Sequence, residues 1–313
     1  QVIPERGERR QNACRPSSWP GPYRIVIATV HPNSRAPLVL LTDFGTQDWF
    51  VGVMKGVIAG IAPGLTVIDL GHATAPGDVR AAAFTLRAAA PHFPAGSVFC
   101  CVVDPGVGTD RAVLIAESGA HIFVGPDNGL FGDLLRRPDA RCYRFNPEAH
   151  PELLYPGGST TFHGRDVFAP LAAHLASGTR PAEIAEAIDS PVQLAREDKN
   201  AGPANDGLQI SGVIEYVDRF GNCITSIAGA DDADSARSIR NLTPPWAVRA
   251  GDRLLFHTDG LAVSYGARRP GEPLVYAGST GALEIAVNLG SAAERFALTT
   301  GTRIAISTQG ASA

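Results

Sequence analysis

Between residues 38 and 103 the chain alternates short apolar runs with amphipathic stretches, and each run stops at a turn rich in glycine, aspartate or proline. Leu38-Val39-Leu40-Leu41 ends in Thr42-Asp43-Phe44-Gly45, after which Phe50, Val53, Met54, Val57, Ile58 and Ile61 share one helical face. Pro63-Gly64 closes that helix. Residues 65–70 read as a second strand, 79–90 as an alanine-rich helix stopped by Pro91, and 98–103 as a third strand. Strands separated by helices return through right-handed crossovers and lie parallel, so the expected class is α/β. Residues 112–116 and 121–124 add two strands, and 166–177 a helix with Pro170 near its start.

The mostly parallel α/β domain is expected over residues 37–195. Residues 196–207, polar and rich in helix breakers, read as a linker. Beyond it, β-like runs at 208–217, 253–257, 274–277 and 303–307, with glycines between them, predict an all-β, barrel-like domain over 208–313. Residues 1–36 differ from the rest, with six arginines against two glutamates, a local net of +4, and several prolines. They read as a disordered or loosely ordered extension. Arg9-Arg10 resembles the start of a twin-arginine export signal, but no long apolar segment follows it.

A formal charge of −4 with no basic stripe argues against nucleic-acid and membrane-surface binding and favours a small charged metabolite. No apolar stretch is long enough to span a membrane. The cysteines, Cys14, Cys100, Cys101, Cys142 and Cys223, are odd in number and have no C-x-x-C spacing. A reducing cytoplasm without structural zinc is therefore expected.

The chemistry-bearing residues lie where apolar runs stop, the edge at which open α/β sheets bind ligands. Asp104 opens the turn Asp104-Pro105-Gly106-Val107-Gly108, Arg111 follows, and His163 stands in Thr161-Phe162-His163-Gly164-Arg165-Asp166. An acid, a guanidinium and an imidazole could meet at one point. Singly, Asp104 reads as a turn residue before Pro-Gly, Arg111 as a surface charge and His163 as a satisfied buried histidine.

These motifs, with Thr42-Asp43-Phe44-Gly45, Pro126-Asp127-Asn128-Gly129-Leu130, Asp218-Arg219-Phe220-Gly221-Asn222 and Asn288-Leu289-Gly290-Ser291-Ala292-Ala293, occur in an order that resembles the S-adenosyl-L-methionine hydroxide adenosyltransferases. Fluorinases and chlorinases are relatives of that family. The resemblance runs from about Leu38 to near the C-terminus and departs from the family pattern at Trp49, Thr280 and Ala282. It implies hydrolysis of S-adenosyl-L-methionine to adenosine and L-methionine without metal or cofactor, by a homotrimer whose sites lie between subunits.

The resemblance also implies roles for single residues. Asp104, Arg111 and His163 would activate the water. Asp43 would take the ribose hydroxyls, for which the plainer alternative is a helix N-cap. Asp48 and Asp218 would take the methionine ammonium, and Phe220 and Asn222 the adenine. Ser279, Glu284 and Val287 would wall the pocket. Asn128, by its own place in the Pro-Asp-Asn-Gly turn after a strand, reads as a structural turn residue.

Three other functions compete. A halogenase would deliver fluoride or chloride in place of hydroxide. The halogenases lack an acid at the position of Asp104, which would repel an anion, and the fluorinase has serine where this chain has Gly164. A non-catalytic adenosyl-ligand sensor would have no need of Asp104, Arg111 and His163 together. A metal-dependent phosphoesterase could use Asp43, Asp69, Asp104 and His163, yet the α/β region has no H-x-D or D-x-H pairing, and His257-Thr258-Asp259 reads as a strand end and turn.

Overall fold

The computed structural model describes residues 36–194, 209–229, 239 and 242–308. The expected extension, apart from Ala36, and the expected linker lie outside the described residues.

The first sheet is assembled from β1 (Leu38–Thr42), β2 (Val67–Gly71), β3 (Val98–Val102), β4 (Val113–Ser118), β5 (His121–Pro126), β6 (Arg141–Phe145) and β7 (Ala185–Ala187). Its spatial order is β2-β1-β3-β5-β4-β6-β7. β2, β1, β3 and β5 pair in parallel, and the later pairings are antiparallel, beginning with the β4–β5 hairpin. Helix α1 (Phe50–Ile61) and helix α3 (Ala169–Ala176) pack on one face, helix α2 (Val79–Ala89) on the other. That double cover explains why β1 and β3 read as unbroken apolar runs rather than alternating ones. Leu38 and Leu40 meet Met54 and Ile58 in one layer, while Val39 and Leu41 meet Ala82 and Leu86 in the other. Each large side chain buried this way contributes roughly 1.5–3 kcal/mol.

Local signals set the helix ends. Asp78 caps α2 by accepting from the Ala81 N–H at 3.0 Å, and α1 stops before Pro63 and Gly64, the glycine taking a φ of 79°. The helix expected over 166–177 begins instead with a π-helical turn, Gly164–Phe168, and continues as α3 from Ala169. Pro170 removes one donor from this continuous helical run, and the Asp166 carbonyl four residues before it accepts instead from the Tyr155 N–H at 3.0 Å.

The second sheet is wholly antiparallel. It contains β8 (Gln209–Val217), β9 (Cys223–Ala228), β10 (Trp246–Ala250), β11 (Arg253–Thr258), β12 (Pro273–Ala277), β13 (Ala282–Val287) and β14 (Arg303–Thr308), in the order β11-β10-β14-β8-β9-β13-β12. Residues 209–213 of β8 pair with β14, and its far end pairs with β9. β8 thus belongs to both halves of the sheet and bends it until β11 and β12 approach, giving a nearly closed barrel. Strands β6, β7, β9, β10 and β13 carry no signal in the sequence. In β6, Arg-Cys-Tyr-Arg-Phe breaks strict alternation, and β13 is an apolar run interrupted by Glu284.

The sheets touch through α2 and β8. Phe84 stacks on Tyr216 with ring centroids 4.9 Å apart, and Arg87 joins Asp133 at 2.6 Å and Glu215 at 2.5 Å. Cys100, Cys101, Cys142 and Cys223 are free and buried, and burial raises each thiol pKa. No described helix is long and apolar enough to cross a membrane.

Candidate active site

Asp104 follows the all-buried strand β3, Arg111 precedes β4, and His163 leads into the π-helical turn. Three distant segments thus meet at one sheet edge. Arg111 donates to Asp104 Oδ2 through Nε at 2.8 Å and Nη2 at 2.5 Å, and the same Nη2 donates to His163 Nδ1 at 2.7 Å. The carboxylate and guanidinium side chains keep only 4% and 11% of their exposure, so the surface reading of Arg111 does not hold. The guanidinium carbon also lies 5.1 Å from the centre of the Phe168 ring. Among the described residues Asp104 Oδ1 takes only a 3.2 Å bond from the Gly106 N–H. Asn128 fixes the end of β3 by donating to the Val103 carbonyl at 2.9 Å, which matches its expected structural role.

A guanidinium has no acceptor, so His163 Nδ1 must carry a lone pair toward Arg111, and the neutral ring then holds its proton on Nε2. Burial lowers the His163 pKa from 6.5, and the Arg111 charge lowers it further, against smaller opposing pulls from Asp104 and Asp166. Asp166 secures the loop in front of His163. Burial would raise its carboxyl, but bonds from Arg165 at 2.5 Å and from the Ser159 N–H at 2.7 Å bring it below the ordinary value.

Asp104 and His163 face a cavity of about 150 Å³ whose other walls include Phe44, Phe50, Phe162 and Gly164. Arg111 and His163 also line a wider open cleft of about 1050 Å³. A Cβ on Gly164 would lie 3.0 Å from Phe44, 3.2 Å from the Met54 sulfur and 3.2 Å from Phe162, so packing of the aromatic wall favours glycine there. Trp49, 59% exposed, extends that wall, its ring 5.7 Å from Phe162.

Asp43 lies at the end of β1 and accepts from the Gly77 N–H at 2.8 Å, so it does not cap α1. Asp48 is exposed beside the aromatic wall. For the metal reading, Asp69 is taken by Lys55 at 2.6 Å and His72 at 3.1 Å, Asp104 by Arg111, and Asp259 by Arg268. Among the described residues no group of three or more His, Cys, Asp or Glu is arranged to hold a metal ion.

The remaining expected residues form a second cluster, on the β sheet. Asp218 Oδ1 accepts from the N–H groups of Phe220 and Asn222, each at 2.8 Å, and its Oδ2 accepts from Asn222 Nδ2 at 2.8 Å. Phe220 is 75% exposed at the tip of the β8–β9 turn, so it is not part of the β core. Ser279 is exposed and Glu284 is buried. Strand alternation sends Glu284 to one face of β13 and Val287 to the other, where Val287 packs in the core with Leu283 and Ile285. Burial raises the Glu284 carboxyl, as does the Asp218 charge, against the pull of the hydrogen bond from Tyr276. Among the described residues no hydrogen bond or ion pair joins this cluster to Asp104, Arg111 and His163.

Tyr265 and Tyr276, which link Asn222 to Glu284, carry no sequence signal, because the loop and strand that supply them are related only by the fold. Asp166 was open to recognition as the acid of the Thr161–Asp166 motif.

An α/β sheet with an acid, a guanidinium and an imidazole at its ligand-binding edge, joined to a curved antiparallel sheet, defines a two-part enzyme for a small molecule. Residues 38–185 match the SAM hydroxide adenosyltransferase N-terminal domain and residues 212–305 its C-terminal domain. The chain belongs to the SAM hydroxide adenosyltransferase family. It is 41% identical to the (R)-S-adenosyl-L-methionine hydrolase of Thermus thermophilus, a match covering 85% of this chain and 97% of that protein. Identity to a fluorinase of an Actinoplanes species is lower, 26% over 88% of this chain and 98% of that one. The crystal structure of an uncharacterized conserved protein from Thermotoga maritima superposes with a TM-score of 0.76 at 33% identity, covering 86% of this chain and 99% of that one.

Proposed function

We propose that this protein hydrolyses S-adenosyl-L-methionine to adenosine and L-methionine by attack of an activated water on the ribose C5′. The hydrogen-bonded set Asp104, Arg111 and His163 carries the proposal. As oxygen bonds to C5′ the carbon–sulfur bond breaks, and the sulfur leaves with the electron pair as a neutral thioether that needs no acid. The demand falls on the nucleophile, since water has a pKa of about 15.7. Arg111 occupies His163 Nδ1, and Nε2 holds the ring proton, so the neutral imidazole orients the water oxygen as a donor. Asp104, through Oδ1, then takes the proton. The aromatic wall, with Asp48 and Asp218, suits a sulfonium and an ammonium. Asp43 binds the ribose hydroxyls, Phe220 stacks on the adenine, and Asn222 reads its edge, with Ser279 beside them. No metal or cofactor takes part in this scheme.

Reaction in ¹⁸O-labelled water tests it. The label should appear in the adenosine 5′-hydroxyl, and a 5′-halo product from added halide would instead assign the halogenase reading.

His163 serves only while Nδ1 is unprotonated, so kcat/KM should fall on the acid side with a midpoint below 6.5. Stability follows the same sign. The unfolded chain, with an ordinary histidine, binds the proton first, so stability present above pH 6.5 is lost as pH falls toward the lowered folded-state value. A rate profile with its acid midpoint above 6.5 would contradict this role.

We further infer that the site is completed between chains, in a homotrimer. Among the described residues no hydrogen bond or ion pair joins the Asp104 cluster to the Asp218–Asn222 cluster, and exposed Trp49 and Phe220 lie on separate clusters. Mixing Asp104→Asn chains, impaired in the chemical step, with Asn222→Ala chains, impaired in base binding, should restore part of the activity at low substrate concentration, with a trimer seen by sedimentation. Activity from isolated monomers would exclude the shared site. The buried free cysteines suit a reducing compartment, and cell fractionation should find the protein in the cytoplasm.

A further inference from the structure

The second cluster contains a chain of hydrogen bonds whose direction is set by its ends. Asn222 Nδ2 lies 2.8 Å from Asp218 Oδ2 and 3.1 Å from the Tyr265 hydroxyl, which is 2.6 Å from the Tyr276 hydroxyl, which in turn donates to Glu284 Oε2. Tyr276 and Glu284 are directly opposed on β12 and β13, and Glu284 is only 6% exposed. The site is built around that carboxylate, because any Cβ on Gly278 would overlap it.

A carboxylate only accepts, so Tyr276 gives its single proton to Glu284 and must accept from Tyr265. Tyr265, its proton spent on Tyr276, can only accept from Asn222. At the other end Asp218 also only accepts. Both constraints require the Asn222 NH₂ group, not its carbonyl, on this side, and both of its protons are used. Asn222 is only 3% exposed, and its side-chain hydrogen bonds to the described residues all leave from Nδ2, none ending on Oδ1. The side chain is therefore locked as an acceptor.

We propose that Tyr265, Tyr276 and Glu284 are positioning residues that hold Asn222 as an acceptor-only group, and that this arrangement selects a 6-aminopurine over a 6-oxopurine. The inference rests on the reading that Asn222 faces the base. An exocyclic amine donates to the free Oδ1, whereas a 6-oxo group sets acceptor against acceptor, and Asn222 cannot rotate to relieve it without turning its carbonyl onto Asp218.

The test compares kcat/KM for S-adenosyl-L-methionine with that for its 6-oxo analogue, S-inosyl-L-methionine. The parent protein should prefer the adenosyl substrate roughly 100-fold. Glu284→Gln can donate to Tyr276 and reverse the chain, and Tyr276→Phe, nearly isosteric, cuts it. Each should lower the preference about tenfold, through a higher KM for the adenosyl substrate and a lower one for the inosyl substrate, with adenosyl kcat retained. Asn222→Ala separates the two levels of the reading. If it weakens adenosyl binding while the preference in Tyr276→Phe and Glu284→Gln equals that of the parent, the positioning inference is overturned and the base contact stands. If Asn222→Ala leaves adenosyl KM unchanged, both fall.

Discussion

Asp104→Asn is expected to lower kcat by about 10²–10⁴-fold while KM and substrate binding stay near those of the parent. Asparagine keeps the shape of the side chain, and its carbonyl oxygen can still accept from Arg111 in place of Oδ2. What disappears is the second carboxylate oxygen, bonded only weakly to Gly106 and the one acceptor in the cluster able to take a proton from water. His163 cannot substitute for it, since Arg111 engages Nδ1 and the neutral ring keeps its proton on Nε2. Single-turnover kinetics with calorimetric binding of substrate would separate the two effects. A kcat within about threefold of the parent would remove Asp104 from the water-activating role.

Arg111→Met should act on stability as well as rate. The substitution keeps length and apolar contact with Phe168 but leaves Asp104, with 4% of its side chain exposed, without its ion-pair partner. Breaking one side of a buried pair costs about 3–5 kcal/mol, because the remaining charge is neither solvated nor compensated. The double variant Asp104→Asn/Arg111→Met holds no buried charge at this point and should recover much of that loss. Urea unfolding of the parent, both single variants and the double variant measures this cycle. A loss under about 1 kcal/mol in Arg111→Met would mean that the pair behaves as an exposed one.

The two variants differ in what they ask of the fold, which also separates what could be read from sequence from what could not. Strands β1 and β3 and helices α1 and α2 were legible because their signals are local. Apolar runs covered on both faces need no partner to be recognised, and Pro63, Gly64 and Pro91 mark helix ends by their own chemistry. β9, β10 and β13 were not legible, since their pattern makes sense only when paired within the curved sheet. The same division runs through the site. Asp104 and His163 stand out at turn motifs, but Tyr265 and Tyr276 become meaningful only once a loop and two strands bring a hydroxyl chain from Asn222 to Glu284.

Some expectations were refined by packing. The resemblance groups Glu284 and Val287 in one wall, yet a strand sends residues three apart to opposite faces, one onto Tyr276 and the other into the barrel core. Gly164, which differs from the serine of the fluorinase, is held to glycine by Phe44, Met54 and Phe162 as much as by any preference for water over halide.

By itself the sequence determined the class of the first sheet, the edge at which ligands bind and the ordered motifs of the family, because each depends on residues near one another along the chain. Only the tertiary structure decided that Arg111 reaches both Asp104 and His163, and so which nitrogen of the ring is left with the proton. Residues 104, 111 and 163 are joined by side-chain hydrogen bonds across three segments, and the direction of a hydrogen bond depends on which atoms meet, which only the packed sheet edge sets.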